Sequence, residues 1–372
     1  MSQDTHKLML DHSQAKVKLY GSYLAKYLPI ISQDKHTTNI HLYDLFSGEG
    51  IYEDGEKGSP LIAIDKINSC YTSNNNMPKL NITFNDIKPD VITKLKATID
   101  STQIPTNCTV RILNNNYLDL VGQVSSEIAA FKSEKAIVFL DPKGYKEISI
   151  SDIKAFLTVG KSEVLVFLPI RDMYRFANMD SANISASHEP LYKFMDEIFP
   201  EGIPAFDSQP DYIHKIKEGL KNILPEYYVD TFMLEREPGQ FFALFFFTGH
   251  IYGFEKMLET KWEIDTEQGR AFRYEQTGAM FSGTEVLNFP DRLKEFISVT
   301  KKSNLEVYKF ILHEGFLPKH ANELLRDWQN SNSVDVVDAN GTPGRKGAFY
   351  LNYKECKSDP EKIFYSMKLT LF

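Results

Sequence analysis

Strands and helices alternate through the first half of the chain. Residues 13–31 predict an amphipathic helix, because apolar side chains recur there three or four positions apart. Five apolar runs of strand length follow, separated by segments with helical periodicity; the runs are 39–46, 81–85, 109–113, 136–140 and 163–170. Several of them are apolar on both faces, which is typical of strands in a parallel sheet that is covered on two sides. The pattern therefore predicts an α/β fold.

A pair of strands completes this part of the sequence. Residues 171–225 lose the alternation and show helical patterns between prolines and glycines, so we interpret them as a helical insertion. Residues 227–234 and 241–248 are two strands joined by Glu-Arg-Glu-Pro-Gly-Gln, which predicts a hairpin with one strand antiparallel to the sheet. Five parallel strands followed by a hairpin form the layout of the Rossmann-like class I methyltransferase sheet.

The last quarter of the sequence predicts a second unit. We expect a methyltransferase-like domain over residues 1–265, a Gly-, Gln- and Thr-rich linker over 266–285, and a separate domain over 286–372. Its predicted elements are, in order, helices 305–313 and 319–330 and strands 334–337 and 347–353. Helix, turn, helix and a hairpin with a basic tip form the pattern of a winged-helix domain.

Composition excludes several classes of protein. The longest apolar run has seven residues, far below the ~20 needed to span a bilayer, and no secretory signal is visible. Cys70, Cys108 and Cys356 lie far apart, and their spacing supports neither a disulfide framework nor a metal site. We therefore expect a cytoplasmic protein with reduced thiols and no metal.

Charge is distributed unevenly along the chain. The net charge of −8 argues against a uniformly basic nucleic-acid-binding protein. From Val286 onward, however, 13 Lys and Arg face 11 Asp and Glu, against 29 and 39 in the residues before. The C-terminal quarter is therefore the better candidate for contacting a polyanion. Its candidate nucleic-acid contacts are Lys319 and Arg326 of the second helix and Arg345 and Lys346 at the tip.

A glycine-containing loop follows the first predicted strand. In open parallel sheets, ligands bind beyond the carboxyl ends of the strands. The loop reads Asp-Leu-Phe-Ser-Gly-Glu-Gly, and its glycines allow a tight turn and the close approach of a ligand. The spacing is not the Gly-x-Gly-x-x-Gly of dinucleotide sites. We interpret Asp44, Phe46, Gly48 and Gly50 as cofactor-binding residues, with plain loop glycines as the alternative.

The next two strand ends supply further polar candidates. Asp86 follows the second strand, where a carboxylate can hold the two hydroxyls of a ribose. A helix N-cap is the alternative role for this residue. The third strand leads into Asn114–Asp119, where an amide such as that of Asn116 can receive an adenine amino group. Together with the glycine loop, these residues predict a site for S-adenosylmethionine.

The fourth strand ends in a candidate catalytic motif, Asp-Pro-Lys-Gly-Tyr. It is similar to the Asp/Asn-Pro-Pro-Tyr/Phe signature of amino-methyltransferases, whose polar groups accept hydrogen bonds from the target amine while the aromatic ring stacks on a flipped base. Asp141, Pro142 and Tyr145 are therefore the candidate catalytic residues. Lys143 replaces the second proline and Tyr145 comes one position late, so a simple turn remains the alternative.

Several segments together carry a family resemblance. They are HSQAKVKLYGSYLAKYLPI, YDLFSGEGIYEDGEKGSPLIAI, FNDIKPD, FLDPKGY and a late TKWEID. Over roughly residues 10–265 they resemble the three-Cys-motif partner (TcmP) family of bacterial proteins, most specifically in the loop from Ser47 to Pro60. FLDPKGY departs from the more usual Asp-Pro-aromatic-Gly form. The resemblance implies a methyltransferase-like fold, a C-terminal winged helix and a partner protein with clustered cysteines in a radical-SAM-like pattern.

Two functions of different classes remain open at this point. The first is an S-adenosylmethionine-dependent methyltransferase that acts on nucleic acid and binds it through the winged helix. The second is a catalytically degenerate methyltransferase fold that binds nucleic acid or a protein partner, which the altered Asp141 motif favours. An NAD-dependent dehydrogenase is disfavoured by the missing glycine signature and the hairpin edge. Hydrolase motifs such as Gly-x-Ser-x-Gly and His-Glu-x-x-His are absent.

Overall fold

A computed structural model describes residues 11–72, 77–142, 148–168, 170–177, 189–237, 240–267, 269–272 and 288–368. The helices are α1 (Asp11–Ser32), α2 (Ser59–Thr72), α3 (Pro89–Asp100), α4 (Tyr117–Ala130), α5 (Ile150–Phe156), α6 (Ile170–Ala177), α7 (Glu189–Ile198), α8 (Gln209–Ile223), α9 (Ile251–Ile264), α10 (Phe289–Val299), α11 (Asn304–His313), α12 (Pro318–Asn330) and α13 (Tyr353–Ser358). The strands are β1 (Asn39–Asp44), β2 (Lys79–Asn85), β3 (Cys108–Leu113), β4 (Lys135–Leu140), β5 (Ser162–Leu168), β6 (Tyr228–Glu237), β7 (Gln240–Thr248), β8 (Ala271–Phe272), β9 (Lys302–Ser303), β10 (Val334–Val337) and β11 (Phe364–Met367).

One large sheet organises residues 39–272. Its strand order is β3-β2-β1-β4-β5-β7-β6-β8, with β1 to β5 parallel and β7 antiparallel to both β5 and β6. The first seven positions have the class I methyltransferase order, which confirms the predicted sheet and hairpin. The eighth strand, β8, pairs with β6 through Ala271 and Phe272. These two residues lie in the segment expected to be a linker, so that expectation is wrong for them.

Helices cover both faces of the sheet because the strands bury side chains on both sides. Along β4, Ala136, Val138 and Leu140 pack on the face covered by α4 to α8. Ile137 and Phe139 pack on the opposite face, against α1, α2 and α3. This alternation follows from the two-residue period of a strand. It confirms the expectation of a two-sided parallel sheet.

The C-terminal residues form a smaller unit. Helices α10, α11 and α12 pack with a three-stranded antiparallel sheet of order β10-β11-β9. The predicted strand over 347–353 is wrong, because the strand that pairs with β10 is β11. Tyr350 has a φ of 51°, which breaks an extended chain. Phe349 and Leu351 are nevertheless buried, so their apolar character serves the core rather than a strand.

The C-terminal unit shares its core with α9. Phe254, Leu258 and Trp262 of this helix belong to the same hydrophobic cluster as α10 to α12. The Trp262 indole N–H donates a 2.9 Å hydrogen bond to the carbonyl of Gly315, and the Tyr308 hydroxyl donates one to the buried Glu255 carboxylate. The unit is therefore anchored on α9, which the sequence assigned to the first domain. None of the helices in the described ranges is long and apolar enough to cross a membrane.

Candidate functional site

The candidate site lies where the order of the parallel strands reverses. β1 is flanked by β2 on one side and by β4 on the other, and crevices in parallel sheets open at such reversals. Asp44 ends β1 and Asp141 directly follows β4. Both continue the alternating positions whose side chains face α1, as Leu42 and Phe139 do. The structure therefore brings two predicted site residues close together on one face, at the point where the strand order reverses.

Asp44 is a fully buried carboxylate. Its side chain has 0% exposure, and neither oxygen has a hydrogen-bond partner of normal geometry among the described residues. Burial raises the pKa of this carboxyl to about 7, and nearby Asp141 adds to the rise. The Ser59 hydroxyl at the start of α2 and the Phe46 amide oppose it. A buried carboxylate without a partner is costly, so Asp44 is suited to receive a donor group from a ligand.

Lys16 completes this cluster and was missed by the sequence analysis. Its ammonium forms an ion pair with Asp141 Oδ2 and lies 4.8 Å from the centre of the Phe167 ring. Burial lowers the pKa of Lys16, but Asp141, Tyr52 and Asp44 outweigh this effect, so that the pKa lies above its ordinary value. Lys16 therefore stays protonated and cannot act as a general base. The only signal in the sequence was a lysine within a helix with a wide apolar face.

Tyr20 lies one helical turn after Lys16 on α1. Its ring stacks on Phe139 with 4.2 Å between ring centres. Its hydroxyl is buried without a hydrogen-bond partner in the described part of the chain. Burial and the neighbouring Asp44 carboxylate raise the pKa of Tyr20 well above its usual range. The crevice thus holds a second polar group with unused hydrogen-bonding capacity.

The loop after β1 forms the predicted tight turn. Gly48 and Gly50 have φ angles of 64° and 82°, in the left-handed region that favours glycine. A Cβ at Gly50 would lie 2.8 Å from Leu95 of α3, so this glycine also permits helix packing. A Cβ at Gly48 would meet nothing within 4 Å. Gly48 therefore borders open space, as a loop that approaches a ligand requires.

Asp86 forms a turn just before α3. It directly follows β2 and is partly exposed, and its Oδ1 accepts a 2.9 Å hydrogen bond from the Lys88 amide before α3. The N-cap of α3 is Lys88, so the alternative role of Asp86 as the N-cap is wrong. The turn uses Oδ1, and the contact of Asp86 with a ribose remains a prediction. Asn116, which is exposed, caps α4 by accepting a 3.0 Å hydrogen bond from the Leu118 amide. Its proposed contact with adenine remains a prediction.

Two features of this edge escaped the sequence analysis. Asn85 is buried, and its side-chain NH2 donates hydrogen bonds to the carbonyls of Leu45 and Asn115, while its Oδ1 accepts one from the Asn115 backbone amide. These hydrogen bonds connect the ends of β1, β2 and β3. Ile87 and Leu118, next to Asp86 and close to Asn116, are large apolar side chains with 60% and 63% exposure. Exposed apolar groups at two adjacent strand ends suit the faces of a planar ring.

The predicted catalytic motif is described only at its start. Asp141 is partly buried and is held by Lys16, and Pro142 is buried. Lys143 and Tyr145 lie outside the described residues, so the stacking role of Tyr145 remains a prediction. No group of three or more metal-ligating side chains occurs in the ranges that the structure describes.

The four candidate nucleic-acid contacts fall into two groups. Arg345 and Lys346 are exposed at the tip between β10 and α13. Arg326 is also exposed, near the C-terminal end of α12. Lys319, in the first turn of α12, instead lines a cleft with the acidic residues Glu255, Glu259 and Glu263 of α9.

The first turn of α12 faces the larger domain. His320, the neighbour of Lys319, packs on Trp262 of α9 with 4.2 Å between ring centres. At the other end of the helix, the Gln329 side chain accepts a 2.9 Å hydrogen bond from the Gly347 amide of the tip. The tip and the C-terminal end of α12 are therefore open to solvent. Lys319 is also exposed but lies beside the acidic side chains of α9, and its contact with nucleic acid remains a prediction.

Comparisons with known proteins give a similarity of fold. No protein-family model matches the chain, and no curated protein matches its sequence. Among solved structures, the O-methyltransferase TomG from Streptomyces achromogenes is 10% identical, with 62% of this chain and 80% of TomG covered and a TM-score of 0.35. Trm1 from Pyrococcus horikoshii, in complex with S-adenosyl-L-methionine, is 14% identical, with 70% and 61% covered and a TM-score of 0.36. The strand order and register, rather than these similarities, establish the class I methyltransferase fold of this chain.

Proposed function

We propose that this protein is an S-adenosylmethionine-dependent methyltransferase that acts on nucleic acid. The observation that carries the proposal is Asp44, a fully buried carboxylate without a hydrogen-bond partner of normal geometry in the described chain, at the carboxyl end of β1. S-adenosylmethionine, when bound, supplies an electrophilic methyl group on a cationic sulfur. It also carries a protonated amino group, which would donate a hydrogen bond to the Asp44 carboxylate.

The residues at this edge fit the remaining parts of that molecule. The open space beside Gly48 admits a ligand close to the loop backbone. Asp86 Oδ2 can accept a hydrogen bond from a ribose hydroxyl while Oδ1 stays in the turn before α3. Ile87 and Leu118 offer exposed apolar surface for the adenine ring. Each group therefore has a matching side chain along the ends of β1, β2 and β3.

Asp141 is the residue that we assign to the methyl acceptor. The ion pair with Lys16 uses Oδ2, which leaves Oδ1 to accept an N–H from a target amine. Because Lys16 is protonated and Asp141 only orients the amine, no strong base is required. Placement of the amine in line with the methyl group and removal of water from the crevice would supply most of the rate enhancement.

The C-terminal unit supports nucleic acid as the acceptor. We infer that it is a winged helix, since a helix, a strand, two helices, β10, the short helix α13 and β11 follow in order and β11 lies between β9 and β10 in the sheet. Arg345 and Lys346 then occupy the tip of the wing, where cations meet the phosphate backbone of a duplex. The exposed Arg326 extends the same surface.

A binding module without transfer activity is the second candidate. It is favoured by one observation, namely that the Asp141 carboxylate is already paired with Lys16. Calorimetric titration of the full chain with S-adenosylmethionine, followed by transfer of labelled methyl groups to RNA, DNA and protein pools, separates the two. Binding with transfer to RNA or DNA supports the methyltransferase; binding without transfer to any pool supports the module. A chain that binds no cofactor contradicts the proposal.

Replacing Asp86 by Asn should weaken the binding of S-adenosylhomocysteine about tenfold. The Asn side chain retains an oxygen that accepts the hydrogen bond from the Lys88 backbone amide, so the start of α3 should be unchanged. The variant loses the charge-assisted hydrogen bond to the ligand, which is worth ~1.5–3 kcal/mol. The measurement is calorimetric titration. Asp90→Asn, in the exposed first turn of the same helix, is the matched control and should bind normally. An unchanged affinity in the Asp86 variant would assign this side chain to the turn before α3 alone.

Replacing Arg345 and Lys346 by Ala in the full chain should weaken duplex binding and reduce its salt dependence. If each cation contacts one phosphate, the slope of log K against log salt should fall by about two. The double replacement of the exposed Lys294 and Lys309 is the control and should leave the slope unchanged. Fluorescence anisotropy with a labelled duplex gives both slopes. Equal slopes for the tip variant and the wild type would show that the tip does not touch nucleic acid.

A further inference from the structure

The ion pair between Lys16 and Asp141 has a chemical consequence for the acceptor. Only 12% of the Lys16 side chain and 23% of the Asp141 side chain is exposed. The pair therefore lies largely out of water, where the charge of one partner is weakly screened. The aromatic face of Phe167, 4.8 Å from the Lys16 ammonium, adds a further favourable contact for this cation.

A carboxylate in such a crevice would by itself attract cations. A protonated alkylamine, such as the side chain of a lysine, would then be the preferred occupant. With Lys16 beside it, Asp141 belongs to a pair with no net charge, and its remaining oxygen is a hydrogen-bond acceptor without excess negative charge. The Lys16 ammonium also repels a second cation that approaches this oxygen.

We propose that Lys16 is a specificity-determining residue, which makes the acceptor side of the crevice select an uncharged amine over a protonated alkylamine. The exocyclic amino group of a nucleobase is such an uncharged donor, whereas the ammonium group of a protein lysine is excluded. The inference rests on the proposed function, since it takes the methyl acceptor to lie against Asp141.

Two stable cofactor analogues test this inference by binding alone. S-adenosylhomocysteine lacks the transferable methyl group, and sinefungin carries a protonated amine in its place. The two molecules share the adenosine and the amino-acid group, and the difference between sulfur and carbon is the same for every variant. A change in the ratio of their affinities between variants therefore reports how the acceptor side receives a cation. Calorimetric titrations of the full-length wild type, Lys16→Met, Lys16→Arg and Asp141→Asn provide the ratios. Lys18→Met, an exposed lysine on the same helix, is the matched control.

In Lys16→Met we expect at least a tenfold shift of the ratio in favour of sinefungin, with S-adenosylhomocysteine affinity within threefold of the wild type. Asp141→Asn should shift the ratio in the opposite direction, and Lys16→Arg and Lys18→Met should stay near the wild type. Because Lys16→Arg and Asp141→Asn keep polar partners of similar size, they remain informative if Lys16→Met fails to fold.

Other results overturn the inference. If the ratio is unchanged in Lys16→Met and in Asp141→Asn, the pair is structural and does not determine the acceptor. If Lys16→Met loses both analogues equally, Lys16 is instead a ligand of the cofactor. If the wild type binds both analogues but the ratios do not shift, the inference fails and the proposed function stands. If the wild type binds neither analogue, the proposed function fails and this inference fails with it.

Discussion

Replacing Asp44 by Asn is expected to weaken the binding of S-adenosylhomocysteine at least 100-fold. The proposed contact joins the buried carboxylate to the amino group of the ligand, and loss of one partner from a buried ion pair costs about 3–5 kcal/mol. Calorimetric titration measures the loss. Glu163→Gln is the matched control, because Glu163 is a second buried carboxyl with a pKa of about 7. Glu163 lies near the amino end of β5, away from the edge of the sheet at which Asp44 lies. The hydroxyls of Tyr23 and Thr248 donate hydrogen bonds to its carboxylate.

The same Asp44 variant should stabilise the ligand-free protein at alkaline pH. Burial raises the pKa of Asp44 from 3.8 to about 7, so the folded chain retains a proton that the unfolded chain releases. Stability from this group is therefore present at pH 4 and falls as the pH rises to about 7, by up to about 4 kcal/mol. Asn does not titrate. Urea unfolding should show that the advantage of the variant is larger at pH 8 than at pH 5.

Two results would contradict this assignment of Asp44. If S-adenosylhomocysteine binds the Asn variant as tightly as the wild type, the carboxylate does not meet the cofactor. If the stability difference between the two proteins is the same at pH 5 and pH 8, Asp44 is ionised at both values and already has a partner. Loss of binding in Glu163→Gln would show that the effect is a general response to changes in the core.

Replacing Asp141 by Ala is expected to lower methyl transfer to nucleic acid at least 100-fold. Groups that orient or accept a proton from the reacting atom typically contribute 10²- to 10⁴-fold. The affinity for S-adenosylhomocysteine should stay within threefold, because the proposed contacts of Asp141 are to the acceptor and to Lys16. The measurement is single-turnover transfer from labelled cofactor to the pool that the wild type methylates.

Asp141→Asn is the control that separates position from charge. Its amide oxygen can still accept the N–H of the target, so part of the activity should return relative to Ala. Parallel loss of cofactor binding and transfer in both variants would place Asp141 in the cofactor site. If the wild type binds the cofactor and methylates no RNA, DNA or protein, the binding module is the better description of the chain.

Most of the sheet could be predicted from the sequence because burial acts on each strand locally. A strand buried on both faces must be apolar at nearly every position, and β4 shows this over 136–140 and β5 over 164–168. The C-terminal unit was harder to predict. The alternation around Phe349 and Leu351 resembles a strand, but these side chains fill the core from an irregular segment in which Tyr350 has a positive φ. The periodicity of apolar residues indicates which side chains are buried, but it does not determine whether the backbone forms hydrogen bonds with a neighbouring strand.

The strand ends were equally accessible to sequence reasoning. Asp44, Asp86 and Asp141 each stand directly at or after a predicted strand, so their location at one edge follows from parallel pairing. The N-cap alternative failed for Asp86 because the N-cap of α3 lies two residues later, at Lys88, and Asp86 instead forms a turn with the Lys88 amide.

The sequence by itself determined the fold class and the edge of the sheet at which polar groups collect, since both depend on local patterns repeated along the chain. Only the tertiary structure placed Lys16 against Asp141, because 125 residues separate the two and no local sequence pattern around either residue indicates the contact. The anchoring of the C-terminal unit on Trp262 of α9 is of the same kind. Both contacts arise when elements distant in sequence pack, and packing depends on the shape of the whole folded chain, which the pattern of any single segment does not contain.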